Sequence, residues 1–334
     1  MKSVTHSPTL CLVVLCLIVW SGCHNLWAPF LGGNPECQAN AALCESETLD
    51  ATVTPVCSSD SWCLRGSVSQ GRAVRALWGS DPLNIWIVGD GGTILKWNGS
   101  AWSSQSSGTS TNLNGVWGSS SGSVWAVGDA GTILKWNGGA WSSQSSGTAQ
   151  SLSQVWGSAA NNVWAVGANG TALRWDGSAW SPQLPATSNN LLGVWGSDSA
   201  NVWAVGLAGT IMKWNGTAWA PQSSGSSKDL FGVWGSDAAN VWAVGAAGTI
   251  LKLSGSTWAS QASGSSQSLR SVWGVDSRSI WVAGSGGTVL KWNGTAWATQ
   301  STGTTGDLVS VWGSGANNVW VLESFGSTLH FPTP

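Results

Sequence analysis

Tryptophan recurs along this chain at a constant spacing of 39 residues. Seven copies follow one another without insertion or deletion, whereas unrelated loops would differ in length. The chain therefore repeats one small structural unit seven times, and each unit must pack against copies of itself. The first tryptophan series consists of Trp78, Trp117, Trp156, Trp195, Trp234, Trp273 and Trp312.

Each copy divides into four short strands rich in tryptophan, valine and isoleucine. In the second copy they are LNGVWG (113–118), SVWAVG (123–128), TILKW (132–136) and AWSSQS (140–145). Asn-Gly-Gly joins the last two and signals a tight hairpin, and no helical period is present. Four strands in about forty residues are typical of one propeller blade. We predict an all-β fold, a seven-bladed β-propeller with four-stranded blades.

The two ends of the repeat array are incomplete, and each supplies what the other lacks. The seventh copy stops at STLHF (327–331), after its third strand. Before the first copy, Trp62 takes the position that Trp102 holds in a fourth strand. We predict that residues 62–69 form the outer strand of the seventh blade, so that an N-terminal strand closes the ring and removes an exposed sheet edge. The propeller would span residues 61–334.

Tryptophan must supply most of the stability, because charged residues make up only 8% of the chain. The gap between radially arranged sheets widens outwards and needs large side chains. A fully buried tryptophan removes roughly 150–250 Å² from water, worth about 4–6 kcal/mol of transfer free energy. We expect the repeated tryptophans to lie buried between the blades.

The first residues have the pattern of an export signal. Lys2 precedes the apolar run LCLVVLCLIVW (10–20), which is too short to cross a bilayer as a stable helix. WSGC (20–23) resembles a bacterial lipobox, in which the cysteine carries a lipid. The resemblance implies a signal peptide over residues 1–22 and lipidation of Cys23, with plain secretion as the alternative. We expect the protein in the cell envelope, lipid-anchored at the outer membrane or cell surface, or secreted.

Four cysteines remain beyond the signal peptide and Cys23, and all precede the repeats. An even number of cysteines in a short loop-rich stretch of an exported protein predicts two disulfides, and three pairings are possible. Zinc is less favoured, since there is no C-x-x-C spacing and no histidine among them. We expect residues 23–60 to form a disulfide-linked tether. The four cysteines are Cys37, Cys44, Cys57 and Cys63.

The repeat also resembles known propeller families. VWAVGDAGTILKWNG (124–138) is similar to the repeats of BNR and sialidase-like propellers, particularly those of the photosystem II assembly factor type. LRWDG (173–177) has a weaker similarity to WD repeats. These families include glycosidases and non-enzymatic assembly factors, so the resemblance over residues 78–331 implies the fold and leaves the activity open. The Asp-box of the sialidase-like family survives only as Gly99 and Trp102.

Residues that commonly carry catalysis are scarce. The chain has no tyrosine, which a sialidase-like site uses as nucleophile. Only His24 and His330 follow the signal peptide, too few for a catalytic relay or a multi-histidine metal site. We predict no enzyme, metal or cofactor, and keep a glycoside hydrolase using Asp90 or Asp129 as a third alternative. Four further aspartates recur at a turn that they are expected to cap: Asp81, Asp198, Asp237 and Asp276.

The charges argue against nucleic acid as a partner, because the net charge is -2 and no run of lysine or arginine is present. One basic position does recur in every copy. We interpret it as structural, with each stem along a blade face and its head over a tryptophan, rather than as a patch for an acidic glycan or protein. The position is occupied by Lys96, Lys135, Arg174, Lys213, Lys252, Lys291 and His330.

Positions that vary among copies are where partner recognition is expected. Two loops vary, the tip between the second and third strands and the connection between copies. In a propeller both emerge on one face, around the mouth of the central channel. The candidate binding residues on this face are Arg72, Arg75, Asp90, Asp129, Asn169, Asn189, Lys228, Asp229, Arg270 and Asp307.

These features favour a non-catalytic extracytoplasmic binding or assembly module. We expect a monomer, tethered to a membrane by its N-terminal lipid, whose loop face meets a protein partner. The alternative is a lectin-like propeller, in which exposed tryptophan faces stack on sugars.

Overall fold

A computed structural model describes residues 57–67 and 71–331, all within one compact unit. The strands form seven antiparallel sheets of four strands each, arranged as the blades of a propeller. The inner strand of each blade contacts the inner strands of the two neighbouring blades, and that of the first blade contacts that of the seventh. The ring is therefore closed, and the predicted fold is confirmed.

The inner and second strands lie nearest the central channel, and the second strand is the most buried of the four in each blade. The second strands are buried almost throughout, because neighbouring blades cover both of their faces. The inner strands of blades 1 to 7 are β2 (Val74–Asp81), β6 (Leu113–Ser120), β10 (Leu152–Ala159), β14 (Leu191–Gly196), β18 (Leu230–Asp237), β22 (Leu269–Asp276) and β26 (Leu308–Gly315). The second strands are β3 (Asn84–Gly89), β7 (Ser123–Gly128), β11 (Asn162–Gly167), β15 (Val202–Gly206), β19 (Asn240–Gly245), β23 (Ser279–Gly284) and β27 (Asn318–Glu323).

The two remaining strands lie towards the rim of the ring. The third strands are β4 (Ile94–Trp97), β8 (Ile133–Trp136), β12 (Ala172–Trp175), β16 (Ile211–Trp214), β20 (Ile250–Ser254), β24 (Val289–Trp292) and β28 (Ser327–Phe331). The outer strands are β5 (Trp102–Ser104), β9 (Trp141–Gln144), β13 (Trp180–Pro182), β17 (Trp219–Gln222), β21 (Thr257–Gln261), β25 (Trp297–Gln300) and, in blade 7, β1 (Cys63–Ser67). Short 3₁₀ turns join the second and third strands at Asp90–Gly92, Asp129–Gly131, Ala168–Gly170, Leu207–Gly209 and Ala246–Gly248.

Tryptophan rings fill the gaps between neighbouring blades. Between blades 2 and 3, the ring centroid of Trp125 lies 5.1 Å from that of Trp175 and 5.2 Å from that of Trp180. Trp125 is fully buried, and the other two are at most 9% exposed. The same three-ring arrangement recurs around the ring, with Leu253 in place of one indole between blades 4 and 5. The expectation that the rings pack between the blades is confirmed.

A glutamine on the outer strand bonds two of these indoles. The Oε1 atom of Gln222 accepts the indole N–H of Trp203 at 3.2 Å and that of Trp258, in the next blade, at 3.0 Å. A buried donor without a partner costs free energy, so one acceptor that serves two indoles stabilises both blades. The glutamine therefore links neighbouring sheets by polar contacts as well as by packing.

The inner tryptophans make a second ring of contacts, closer to the channel. Trp78 packs on Gly118 of the next blade, where an added Cβ would lie 2.6 Å from the indole. Trp312 packs in the same way on Gly79, which joins the seventh blade to the first. The glycine that follows each inner tryptophan is required because the neighbouring indole occupies the space of a side chain.

The N-terminal strand closes the ring as predicted. β1 pairs with β28, with Cys63 opposite His330, and the regular pairing is interrupted after Leu64. Trp62, just before β1, is fully buried. Its ring centroid lies 5.6 Å from that of Trp281 and 5.3 Å from that of Phe331, so it fills the gap between blades 6 and 7.

The loop before β1 is held both to itself and to blade 6. A disulfide joins Cys57 to Cys63. The hydroxyl of Ser58 donates to the carbonyl of Ser301 at 2.6 Å, and the Ser301 N–H donates to Asp60 Oδ2 at 2.6 Å. The structure thus contains one of the pairings that the sequence left open. The predicted signal peptide over residues 1–22, most of the predicted tether, and the residues Cys23, Cys37 and Cys44 lie outside the described residues.

The gap between blades 7 and 1 differs chemically from the other gaps. His330 stands in place of lysine, stacks on Trp320 with ring centroids 4.3 Å apart, and donates through Nε2 to Asn318 Oδ1 at 3.0 Å. Arg65 is the third residue after Trp62, the position where the other outer strands carry glutamine. Burial, with the Arg65 guanidinium nearby, lowers the pKa of His330 to about 4. This gap therefore keeps one cation, supplied by β1 instead of the third strand.

Trp62→Ala is expected to lower the free energy of unfolding by about 3–5 kcal/mol, because it removes a buried indole and leaves a cavity at the closure. The measurement is urea unfolding followed by circular dichroism. The matched control is Leu64→Ala on the same strand, which is 45% exposed and is expected to change stability by about 0.5 kcal/mol or less. Equal losses for the two variants would contradict closure by this strand.

The stability is expected to fall as the pH drops from about 6.5 towards 4, since the folded protein favours neutral His330 and the unfolded chain binds its proton more readily. The loss of stability begins as the pH falls through about 6.5, where the histidine of the unfolded chain takes up its proton. It is complete near pH 4, where His330 of the folded protein is protonated as well. His330→Gln removes this contribution and leaves all other titrating groups in place. The difference between the two urea-midpoint profiles should therefore be confined to this window, and identical profiles would contradict the burial of a neutral histidine.

Candidate functional site

One position of the inner strand lines the central channel in all seven blades. It follows the buried leucine or valine that begins each inner strand, and all seven side chains border a single cavity of about 160 Å³. We call these the channel-mouth residues. They are Arg75, Asn114, Ser153, Leu192, Phe231, Arg270 and Val309.

A β-bulge aims these side chains into the channel. In blade 2, Leu113 pairs with Gly128 and Gly115 pairs with Val127, so the register skips Asn114. The same irregularity occurs at this position in every blade. A bulged residue leaves the ladder and is redirected, which is common beside functional sites. The channel-mouth residues are thus placed by the strand itself and are free of its pairing.

Blades 1 and 2 form a polar side of the mouth. The Arg75 guanidinium forms an ion pair with Asp90. The Asn114 amide donates to Asp129 Oδ1 at 3.0 Å and to the Leu152 carbonyl at 2.9 Å. The hydrogen bond from Asn114 lowers the pKa of Asp129, partial burial opposes this, and the positive charge of Arg75 adds to the lowering. Both carboxylates are therefore engaged by partners within the chain.

Blades 4 to 7 form an apolar side with one cation. Leu192, Phe231 and Val309 are half-buried at the cavity wall. The guanidinium carbon of Arg270 lies 4.7 Å from the ring centroid of Phe231. Gly193 allows the inner strands to come close here, since an added Cβ would lie 2.9 Å from the Phe231 carbonyl oxygen. Apolar side chains and a cation thus share this half of the mouth.

The structure brings only part of the predicted binding face to the mouth. Arg75 and Asp129 line one pocket there, of about 490 Å³, Asp90 is ion-paired with Arg75, and Arg270 belongs to the central cavity. These four residues lie at the position that the sequence predicts, at the channel mouth of the loop face.

Several other predicted residues bind the turns of their own or neighbouring blades. Asp229 Oδ1 accepts the N–H of Ala208 at 2.8 Å, and Asp307 Oδ1 accepts that of Gly286 at 3.0 Å. The remaining polar bonds join Arg72 to the Gly91 carbonyl, Asn169 to Gln150 and Asn189 to Thr210, while the Lys228 side chain is exposed. Each bond gives these residues a structural role in shaping the loop face.

Five channel-mouth residues were missed by sequence reasoning: Asn114, Ser153, Leu192, Phe231 and Val309. They lie within a strand, where variation between copies is easily attributed to drift. The available signal is that this position changes from arginine to phenylalanine among copies while the residue before it is leucine in six copies and valine in the first.

The recurring basic position is structural, as interpreted from the sequence. The Lys135 Nζ atom lies 4.7 Å from the ring centroid of Trp125 and 5.0 Å from that of Trp175. Lysines in blades 1, 4, 5 and 6, and Arg174 in blade 3, lie over tryptophans in the same way. Desolvation by burial lowers the pKa of Lys291. These cations face the gaps between blades.

The recurring aspartates cap their turns, as predicted. Asp237 Oδ1 accepts the N–H of Ala239 at 2.8 Å and that of Asn240 at 3.0 Å. Within residues 57–67 and 71–331, no group of three or more His, Cys, Asp or Glu side chains could hold a metal ion. The same part of the chain contains no helix with the length and apolar character needed to cross a membrane.

Comparison with known proteins gives the fold and no family. No protein-family model matches the chain. No curated protein matches it either.

Solved propellers do match. YCF48 bound to D1 peptide has a TM-score of 0.70 at 17% identity and covers 86% of this chain and 100% of its own. YCF48 from Cyanidioschyzon merolae has a TM-score of 0.67 at 18% identity, covering 81% and 98%. The WD40 β-propeller domain of Doa1 has a TM-score of 0.67 at 15% identity, covering 82% and 96%. At these identities the likeness shows a shared propeller fold.

Proposed function

We propose that this propeller is a non-catalytic protein-binding module that receives a segment of a partner protein at the channel mouth. The observation that carries the proposal is the ring of bulged channel-mouth residues, which are of six types in seven blades while the tryptophan scaffold repeats. A purely structural position would repeat as the tryptophans do. Varied side chains around one cavity are typical of a recognition site.

The comparisons add support of the same kind. One similar propeller, YCF48, has been solved bound to a peptide, and another is a WD40 propeller. By analogy, a propeller of this shape is suited to hold an extended segment of another protein. This likeness supports a protein as the ligand of this chain but does not identify that protein.

Protein is favoured over glycan by the burial of the indoles. The large apolar side chains that are well exposed among the described residues are Leu64, Leu83, Leu184, Val275 and Phe325, and none is a tryptophan. Sugar recognition by stacking needs an open aromatic face. The described tryptophans instead fill the gaps between blades.

The proposal includes the location of the module. A signal peptide over residues 1–22 and a lipid on Cys23 would tether the propeller in the cell envelope, outside the cytoplasm. The support is the apolar run, the WSGC sequence and the cysteines that follow.

A photo-crosslinking amino acid at Val309 of the full chain, expressed in its host, is expected to form a discrete adduct with a protein on irradiation, because this side chain borders the cavity. The matched control is Val275, which is 47% exposed near the hairpin at the opposite end of β22. Adducts at Val275 but not at Val309 would contradict the site.

Fractionation of the same cells tests the tether, since Cys23→Ser should release the protein from the membrane fraction.

A further inference from the structure

Arg270 is a cation without a carboxylate partner. The ion pair between Arg75 and Asp90 is the one ion pair within 4.0 Å among residues 57–67 and 71–331. Arg270 is exposed at the channel mouth, where its guanidinium lies over the Phe231 ring. Stacking uses the face of a guanidinium and leaves its N–H donors at the edge, arranged as a fork that fits a carboxylate.

The carboxylates of the loop face that lie near the channel mouth are held by the chain itself. Asp229 and Asp307 accept backbone N–H groups, and Glu323 accepts the Thr304 hydroxyl at 3.2 Å. Asp90 and Asp129 are bound on the polar side, as described above. Arg270 therefore stands out as the charged group of the channel mouth that is ready to form an ion pair with something else.

Its surroundings define what else the ligand must carry. In ring order, Leu192, Phe231, Arg270 and Val309 belong to the consecutive blades 4 to 7, so apolar side chains flank the cation on both sides. The cavity of about 160 Å³ is close to the size, about 150 Å³, that holds one benzene-sized group. Its exposed lining is mostly polar, so it suits a single polar side chain such as a carboxylate and is too small for a folded domain.

We infer that the channel mouth binds a protein segment in which an apolar side chain stands next to a carboxylate. The carboxylate enters the mostly polar cavity and accepts hydrogen bonds from Arg270, and the apolar side chain packs on the half-buried Leu192 and Phe231 at its wall. This inference rests on the proposed function and adds the chemistry of the partner. A nucleic acid fits less well, because one isolated guanidinium cannot follow a phosphate backbone.

The test selects peptides from a random display library on the immobilised full chain and then measures their affinities by calorimetry. Enriched peptides should share an aspartate or glutamate next to an apolar residue. Arg270→Gln should weaken their binding about ten- to a hundredfold, since it removes a charge-assisted hydrogen-bonded pair. Changing the peptide's own carboxylate to the amide should have the same effect on the wild-type protein and little effect on the Arg270→Gln variant.

Matched variants separate the inference from the proposed function. Arg278→Gln and Leu83→Gln change exposed residues in hairpins on the opposite face and should leave affinity unchanged. If enriched peptides lack carboxylates but lose affinity in Phe231→Gln, the inference is overturned and the proposed site stands. If no enriched peptide responds to a change at Phe231 or Arg270, both fail. Thermal melts of each variant confirm that it remains folded.

Discussion

Indole rings packed between wedge-shaped sheets are the interaction on which the rest of this structure depends. A blade of four short strands cannot cover its own faces, so each one is stable only between two neighbours. Charges contribute little, because charged residues make up only 8% of the chain and the recurring cations lie over aromatic rings. The buried indoles therefore set both the repeat length and the need for closure, and the first described residues, around Trp62, complete the last gap.

Because the recurring residues are needed for packing between the blades, a partner can be recognised only at the positions that vary. Tryptophan and the cation at the recurring positions are engaged in the gaps between blades, Gln222 bonds two indoles in one of these gaps, and many loop residues bind neighbouring turns. Among the residues that line the cavity, the bulged position varies most. A mutation there alters the ligand site without altering a gap, which is how a repeating scaffold can hold six kinds of side chain around one cavity.

Much of this architecture could be predicted from the sequence, because spacing and aromatic pattern are direct consequences of packing. The repeat, the four strands, the closure by Trp62 and the structural role of Lys135 and its equivalents all follow from that reasoning. The bulge that turns Asn114 and Phe231 into the channel could not be predicted, since it depends on register between strands and leaves no mark in composition. The sequence also did not predict that Arg65 supplies the cation in the gap where His330 replaces lysine, because the two residues come from opposite ends of the repeat array.

The most direct test of the central claim is acrylamide quenching of the tryptophan fluorescence of the full chain, compared in the folded and urea-unfolded states. If the indoles fill the gaps between blades, the folded protein should emit at short wavelength and resist the quencher, and unfolding should shift the emission to long wavelength and make it fully quenchable. Long-wavelength, readily quenched emission from the folded protein would contradict the account, because the rings would then stand in water and could not hold the blades together.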